Sequence, residues 1–351
     1  MIGDDPGPGY TVATADVRAD RATVMSLWRG NLDEGDEPEA KFQWFYCDHP
    51  NGPSTMLFLL HGAERTPVGT AGIGRRELVA NGTVHRAGVL ADLLVIPSHR
   101  TLFPAMELQR AATREGLAAC GVVFGVPNVK AVPVFRRLGY APIGDLVRFV
   151  VVLRYGEQLR RRMPAWLASI GGAVLDTVMP VLRRLSGANT PAIGEWRNTV
   201  DASFDDLWSR ARSFTGVIGV RDAGYLKWRF LARSSHPHRV FALRAADGAR
   251  LIGYAICEDA RPTLHVRDFL VDRAVPGGVA TLVDTLARHA YREGFSTLSL
   301  DFMGGDEDCE SLRRAGMRER DRRPLFASFA VGQDVTLRKL PWYVTRADID
   351  A

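Results

Sequence analysis

The sequence predicts a mixed α/β fold, with α+β mixed sheets in two domains of like architecture set in tandem and joined by a helical connector. Three observations predict it. The chain has 351 residues with 46% apolar content, enough for about two domains of roughly 150 residues each with substantial cores. Short apolar runs bounded by Gly, Pro or Asn alternate with amphipathic stretches in both halves. The third observation is internal repetition.

Phe42-Gln43-Trp44-Phe45-Tyr46-Cys47-Asp48-His49-Pro50 resembles Leu226-Lys227-Trp228-Arg229-Phe230 followed by His236-Pro237. Val68-Gly69-Thr70-Ala71-Gly72-Ile73 resembles Ile252-Gly253-Tyr254-Ala255-Ile256, and in each half the glycine stands 25 residues after the tryptophan. Leu90-Ala91-Asp92-Leu93-Leu94-Val95 faces Val266-Arg267-Asp268-Phe269-Leu270-Val271, and Arg137-Leu138-Gly139-Tyr140 faces Arg314-Ala315-Gly316-Met317. Four matches in one order, at nearly constant spacing, predict a duplicated domain.

In the first half, residues 16–30 predict a helix opened by Asp16, with Val17, Val24, Leu27 and Trp28 on one stripe. Met56–Leu60, Pro67–Ile73 and Val89–Val95 predict strands, and Pro104–Cys120 a helix with Met106, Leu108, Ala112 and Leu117 inward. Gly121–Gly125 predicts a strand and Val129–Leu138 a helix stopped by Gly139. The second half repeats the order: a helix around Ser203–Phe214, strands at Val240–Leu243, Leu251–Cys257 and Leu264–Val271, a helix at Gly278–Gly294, a strand at Thr297–Asp301 and a helix at Asp308–Ala315. The predicted boundaries are a flexible 1–10, a first domain 11–155, a connector 156–197, a second domain 198–335 and a tail 336–351.

The first ten residues carry Asp4 and Asp5 and no apolar run behind them, which predicts a cytoplasmic protein. The four cysteines stand far apart, so no metal site or disulfide framework is expected. A formal charge of +5 is mild and does not call for a nucleic-acid partner, while a basic set that is almost all arginine suits anionic ligands. Between the halves, residues 160–185 mix basic clusters with apolar residues around Trp166. That segment reads either as a helical pair packing on both domains or as a peripheral contact with an anionic membrane.

An Asp-bearing strand running into a turn and helix, then a strand ending near Asn128 before a helix closed by Leu138-Gly139-Tyr140, resembles the GNAT acyltransferase superfamily. Arg221-Asp222-Ala223-Gly224-Tyr225-Leu226-Lys227-Trp228-Arg229-Phe230, Ser98-His99-Arg100-Thr101-Leu102-Phe103-Pro104-Ala105 and Phe124-Gly125-Val126-Pro127-Asn128 resemble bacterial two-domain members, some of which acylate amino sugars. The resemblance implies acetyl-CoA or another acyl-CoA lying between two splayed strands, its pyrophosphate on the N-terminus of the next helix. The positions implied are Leu94, Val95, His99, Arg100, Thr101, Phe103, Ala105 and Asn128, with Phe103 where the family has a glycine. Arg273–Gly278 is the corresponding stretch of the second half. The slot of the family's proton-donating tyrosine holds Phe135.

Asp92 and Asp268 each interrupt an apolar strand, and a buried carboxylate needs a partner or a wet pocket. Each is therefore either a general base for an acceptor amine or a structural anchor. Trp44 and Trp228 are expected as core anchors or as stacking walls for a substrate, and Tyr140 as a strand residue or a substrate contact. The function implied is acyl transfer from acyl-CoA to a primary amine of a small acceptor, such as an amino sugar or nucleotide-linked amino sugar. The alternatives are a tRNA-dependent aminoacyl ligase of cell-wall synthesis and a non-catalytic binding protein.

Overall fold

The computed structural model describes residues 9–31, 37–155, 190–213, 216–232, 237–332 and 337–349. Most of the expected connector, including the proposed membrane-contacting stretch 160–185, lies outside the described residues. Among the described residues no helix is long and apolar enough to cross a membrane. The chain forms two units: Met1–Asp145 with Arg323–Leu340 and Asp348–Ala351, and Leu146–Arg322 with Pro341–Ala347.

The first unit opens with β1 (Tyr10–Thr14) and α1 (Arg21–Trp28). A short α2 (Pro38–Phe42) continues as a wider π-type turn, Gln43–Cys47. Three antiparallel strands follow, β2 (Thr55–His61), β3 (Thr66–Ala80) and β4 (Thr83–Val95). Asn81 and Gly82, both at positive φ (48° and 79°), make the two-residue turn that pairs Ala80 with Thr83. Then come α3 (Leu102–Cys120), β5 (Val122–Gly125) and α4 (Val132–Arg137). Helix α3 buries Leu108, Ala111 and Ala112 against Leu57, Leu59, Val68, Ala71, Ile73 and Val95, and ends where Gly121 turns left-handed at φ +77°.

Past α4 the chain enters β6 (Ala141–Val152), and Val147–Val152 pair within the second unit. That unit runs β7 (Ala192–Arg197), α5 (Ala202–Ala211), β8 (Val217–Gly219) and α6 (Ala223–Leu226), the last again continuing as a π-type turn, Lys227–Leu231. A second three-stranded meander, β9 (His238–Ala245), β10 (Leu251–Ala260) and β11 (Thr263–Val271), leads to α7 (Gly278–Arg292), β12 (Thr297–Phe302) and α8 (Asp306–Arg314). The chain then makes β13 (Arg318–Phe329) and β14 (Trp342–Tyr343).

The sheet of the first unit has the order β1-β2-β3-β4-β5, completed by Phe326–Phe329 of β13 against Val122–Gly125. The second has the order β6-β12-β11-β10-β9-β7. Each sheet is thus finished by a strand from the other half of the sequence. Residues 336–351, expected as a tail, include a packed segment instead: Trp342, Tyr343, Val344, Thr345, Ala347, Asp348 and Ile349 are all buried.

His238 starts β9 and is held against the Phe230 carbonyl (3.1 Å). Burial holds its imidazole down at about 4, with Glu258 pulling the other way. The unfolded chain therefore binds a proton that the folded chain refuses between about pH 6.5 and pH 4. The contribution is complete above that window and is lost as pH falls through it, on the order of 3 kcal/mol. His238→Gln should flatten this part of the fall in urea midpoint between pH 7 and pH 4.5.

Candidate functional site

The site of the first unit begins with a defect in its longest strand pair. Gly72 pairs with Ala91 and Thr70 with Leu94, so Asp92 and Leu93 together face Ala71. Asp92 takes up the extra residue at φ +48°, a conformation uncommon for any residue but glycine. On the other edge of β4 only Gly88 and Val89 pair with β5, opposite Val123 and Phe124. Beyond that point the two strands part, and a cavity of 360 Å³ lies in the opening.

Asp92 faces this cavity with its side chain almost wholly buried. Oδ1 receives the Lys41 ammonium at 2.7 Å and Oδ2 receives the Tyr46 hydroxyl at 2.6 Å. Both donors come from α2 and its π-type turn. A side chain at Gly72 would run into the Tyr46 hydroxyl, so this glycine is what lets the turn approach the sheet. The backbone carbonyl of Asp92 is fixed as well: Trp28 Nε1 donates to Thr70 Oγ1 (3.1 Å), and Thr70 Oγ1 donates to that carbonyl (3.2 Å). The bulge is therefore held from α1, α2 and β3 at once.

Gln109, Asn128, Leu93, Phe135 and Ile349 also line the cavity. Asn128 serves two ends, since its Oδ1 accepts from Ala131 N (3.0 Å) and so opens the turn into α4. Gln109 Nε2 donates to the Tyr140 hydroxyl (2.9 Å), which also pairs with Thr113. Burial pushes that phenol up, so it stays protonated. Tyr140 is thus a packing residue behind Gln109 and not a wall of the cavity, which corrects its expected substrate role.

At the start of α3 the backbone offers few donors. The N–H groups of His99, Arg100 and Thr101 are used by Ile96, Pro97 and His99 carbonyls in a tight turn, and Pro104 has none. Of the first orphan N–H groups of the helix, those of Leu102 and Phe103 remain. Phe103 is 42% exposed and its ring turns toward Tyr10, at 6.4 Å between centroids, so it does not fill the turn. Tyr10 also holds His99 (Oη to Nδ1 2.8 Å), and Arg100 Nε donates to the Val95 carbonyl (3.0 Å).

The second unit has a corresponding bulge, with Arg267 as the extra residue beside Asp268, but not a corresponding opening. Strands β11 and β12 pair from Thr263 to Val266 and then separate. The chain itself fills the gap: Met303 and Val344 exchange backbone hydrogen bonds (2.9 and 2.8 Å), and Tyr343 donates to the Phe269 carbonyl (2.6 Å). Asp268 is sealed beneath, accepting from Arg221 Nε (3.1 Å), Tyr254 (2.7 Å) and Thr345 (2.6 Å), with no solvent exposure. Fully buried and held by three donors, it is placed as a structural anchor and not in the catalytic role expected of it. A 200 Å³ cavity does remain near the start of α7. There Asp272, bound by Arg210 (2.8 Å), sits beside the turn that would have to receive a phosphate.

Of the sequence-predicted residues, Asp92 and Asn128 therefore meet at one cavity. His99, Arg100, Thr101 and Phe103 gather at the start of α3, outside the cavity lining, and Ala105 packs on the core. Leu94 and Val95 point into the interior, and Leu93 takes the lining position expected of them. Trp44 and Trp228 are buried in their units and line neither the 360 Å³ nor the 200 Å³ cavity, as the core-anchor reading expects. Sequence reasoning missed Lys41, Tyr46 and Gln109. Tyr46 carried a signal, standing within the aromatic run whose repeat was noticed.

No known family pattern matches the sequence, and no curated protein matches it. Solved structures do match. A probable N-acyltransferase from Enterococcus faecalis V583 and a GCN5-related N-acetyltransferase from Anabaena variabilis ATCC 29413 each align with a TM-score of 0.61 at 12% identity, covering 91% of this chain and 72% of theirs. A GCN5-related N-acetyltransferase from Kribbella flavida aligns over the same shares with a TM-score of 0.56 at 12% identity. The fold is thus that of the GCN5-related N-acetyltransferases over most of the chain. Similarity at this level speaks to architecture, and chemistry must be argued from the site.

Proposed function

We propose that the first unit binds an acyl-CoA and transfers its acyl group to a primary amine of a small acceptor, an amino sugar or nucleotide-linked amino sugar being the class expected. The observation that carries this reading is the opening between β4 and β5 with a bulged carboxylate at its wall. The second unit, in this reading, is a duplicated copy whose opening has been closed by the chain.

The residues present fit a thioester carrier. Leu102 and Phe103 would offer N–H groups to the pyrophosphate, and the edge of β4 from Leu90 onward would offer its amides to the pantetheine arm. The thioester supplies an activated carbonyl. Backbone N–H at the bulge would polarise that carbonyl, and Asp92 would orient the acceptor ammonium and take its proton. Phe135 cannot donate a proton to the leaving thiolate, and solvent serves instead, because the thiol pKa is about 8.5.

Calorimetry with acetyl-CoA, followed by mass spectrometry of products from a panel of amino sugars, tests the proposal. Ala131→Trp adds a large ring to the cavity wall at a half-buried position. It should weaken acetyl-CoA binding about tenfold or more, ~1.4 kcal/mol, with little change in melting temperature. Binding without turnover on any amine would favour a sensor. Affinity for tRNA that falls steeply with salt would favour the aminoacyl ligase.

A further inference from the structure

Lys41 stands where a substrate would. Its ammonium lies 2.7 Å from Asp92 Oδ1, the atom to which the proposed function assigns the acceptor's proton, and it lines the same cavity. An acceptor amine bound for attack would make the same contact. The chain has four lysines, and Lys130, Lys227 and Lys339 are exposed whereas Lys41 is 5% exposed. A buried amine beside a carboxylate, at the wall of a cavity fitted to a thioester, has both a base and a confined electrophile within reach.

We infer that Lys41 is a site of self-acylation by the bound acyl-CoA, an inference that rests on the functional reading above. Asp92 takes one of the three ammonium protons and passes it to solvent. The amine nitrogen then bonds to the thioester carbonyl carbon and the carbon–sulfur bond breaks. A second proton goes to the departing thiolate, giving free CoA thiol, and the third stays on the new amide nitrogen. The product is a neutral Nε-acyl-lysine that no longer presents an ammonium to Asp92, so acylation changes the charge of the cavity by one unit.

The test incubates the full chain with acetyl-CoA and follows acetylation of each lysine by peptide mass spectrometry, with calorimetry on the same sample. The expected result is a 42 Da (about one acetyl group) gain on Lys41 at least about ten times faster than on the three exposed lysines, the reverse of the order that solvent access alone would give. Asp92→Asn should slow Lys41 by about tenfold or more and leave the three exposed lysines unchanged, which also reports that the variant is folded. Acetyl-CoA binding with Lys41 no faster than the exposed lysines overturns the inference and leaves the functional reading standing. Absence of acetyl-CoA binding overturns both.

Discussion

Arg221→Met should lower the unfolding free energy by about 3–5 kcal/mol, read as a fall in urea midpoint. The guanidinium and the Asp268 carboxylate are both fully buried, with Nε to Oδ1 at 3.1 Å. Arg221 also reaches the Gly219 carbonyl (2.8 Å) and Thr345 Oγ1 (3.2 Å), so one side chain ties β8, β11 and the returning C-terminal segment. Removing it takes the cation from a carboxylate that solvent does not reach. Tyr254 stays a neutral donor to the carboxylate, since burial pushes its phenol and that of Tyr343 well above their usual range, and neither supplies a positive charge in place of the guanidinium. The double variant Arg221→Met with Asp268→Leu should recover much of the loss, since an apolar pair needs no solvation. If the single variant costs under about 1 kcal/mol, the anchoring role assigned to Asp268 is wrong.

Asp92→Asn should reduce kcat on a responsive amine by about 100- to 10,000-fold while changing acetyl-CoA affinity little. The asymmetry follows from which atoms are asked to do what. Cofactor contacts in this reading come from backbone amides of β4 and of the α3 start, which the substitution leaves in place. Proton removal needs the carboxylate. Tyr46→Phe separates position from charge: it keeps the ring packed between Phe42 and Trp28 and removes one donor from Oδ2. A kcat for Asp92→Asn equal to that of the unaltered protein, with the fold intact, would remove Asp92 from the chemistry.

Much of the architecture could be read along the chain because apolar periodicity reports local structure. The predicted helix Pro104–Cys120 is Leu102–Cys120, and the predicted strands Met56–Leu60 and Leu264–Val271 are Thr55–His61 and Thr263–Val271. Strand β3 runs on to Ala80, past the expected end at Ile73, beyond which Arg75, Arg76 and Glu77 interrupt the apolar run. The Asn81-Gly82 pair was the available sign of the longer hairpin. Arg76 is inside for a reason invisible at its own position, its guanidinium meeting Asp348 (2.7 Å) far along the chain.

The site was half legible for the same reason. Asp92 stood out as a charge in an apolar strand. Lys41 did not, because it follows an acidic, polar stretch and nothing local says that it turns inward to meet a residue 51 positions later. Asp92 and Asp268 look alike in sequence and differ in fate. The difference lies in Tyr343, Val344 and Thr345, residues that read as part of a tail until their partners Phe269, Met303 and Asp268 are seen.

The crossing of β6 and β13 ties the fate of the two halves together. A gene severed in the segment after β6 would yield one product whose β5 lacks its outer neighbour and another whose β12 lacks its own, each with a raw edge open to pairing with strangers. Once such an arrangement is in place, the sealed half cannot be discarded by deletion even if it binds nothing. Its strand β13 completes the edge of the first unit's sheet whether or not the second unit binds anything.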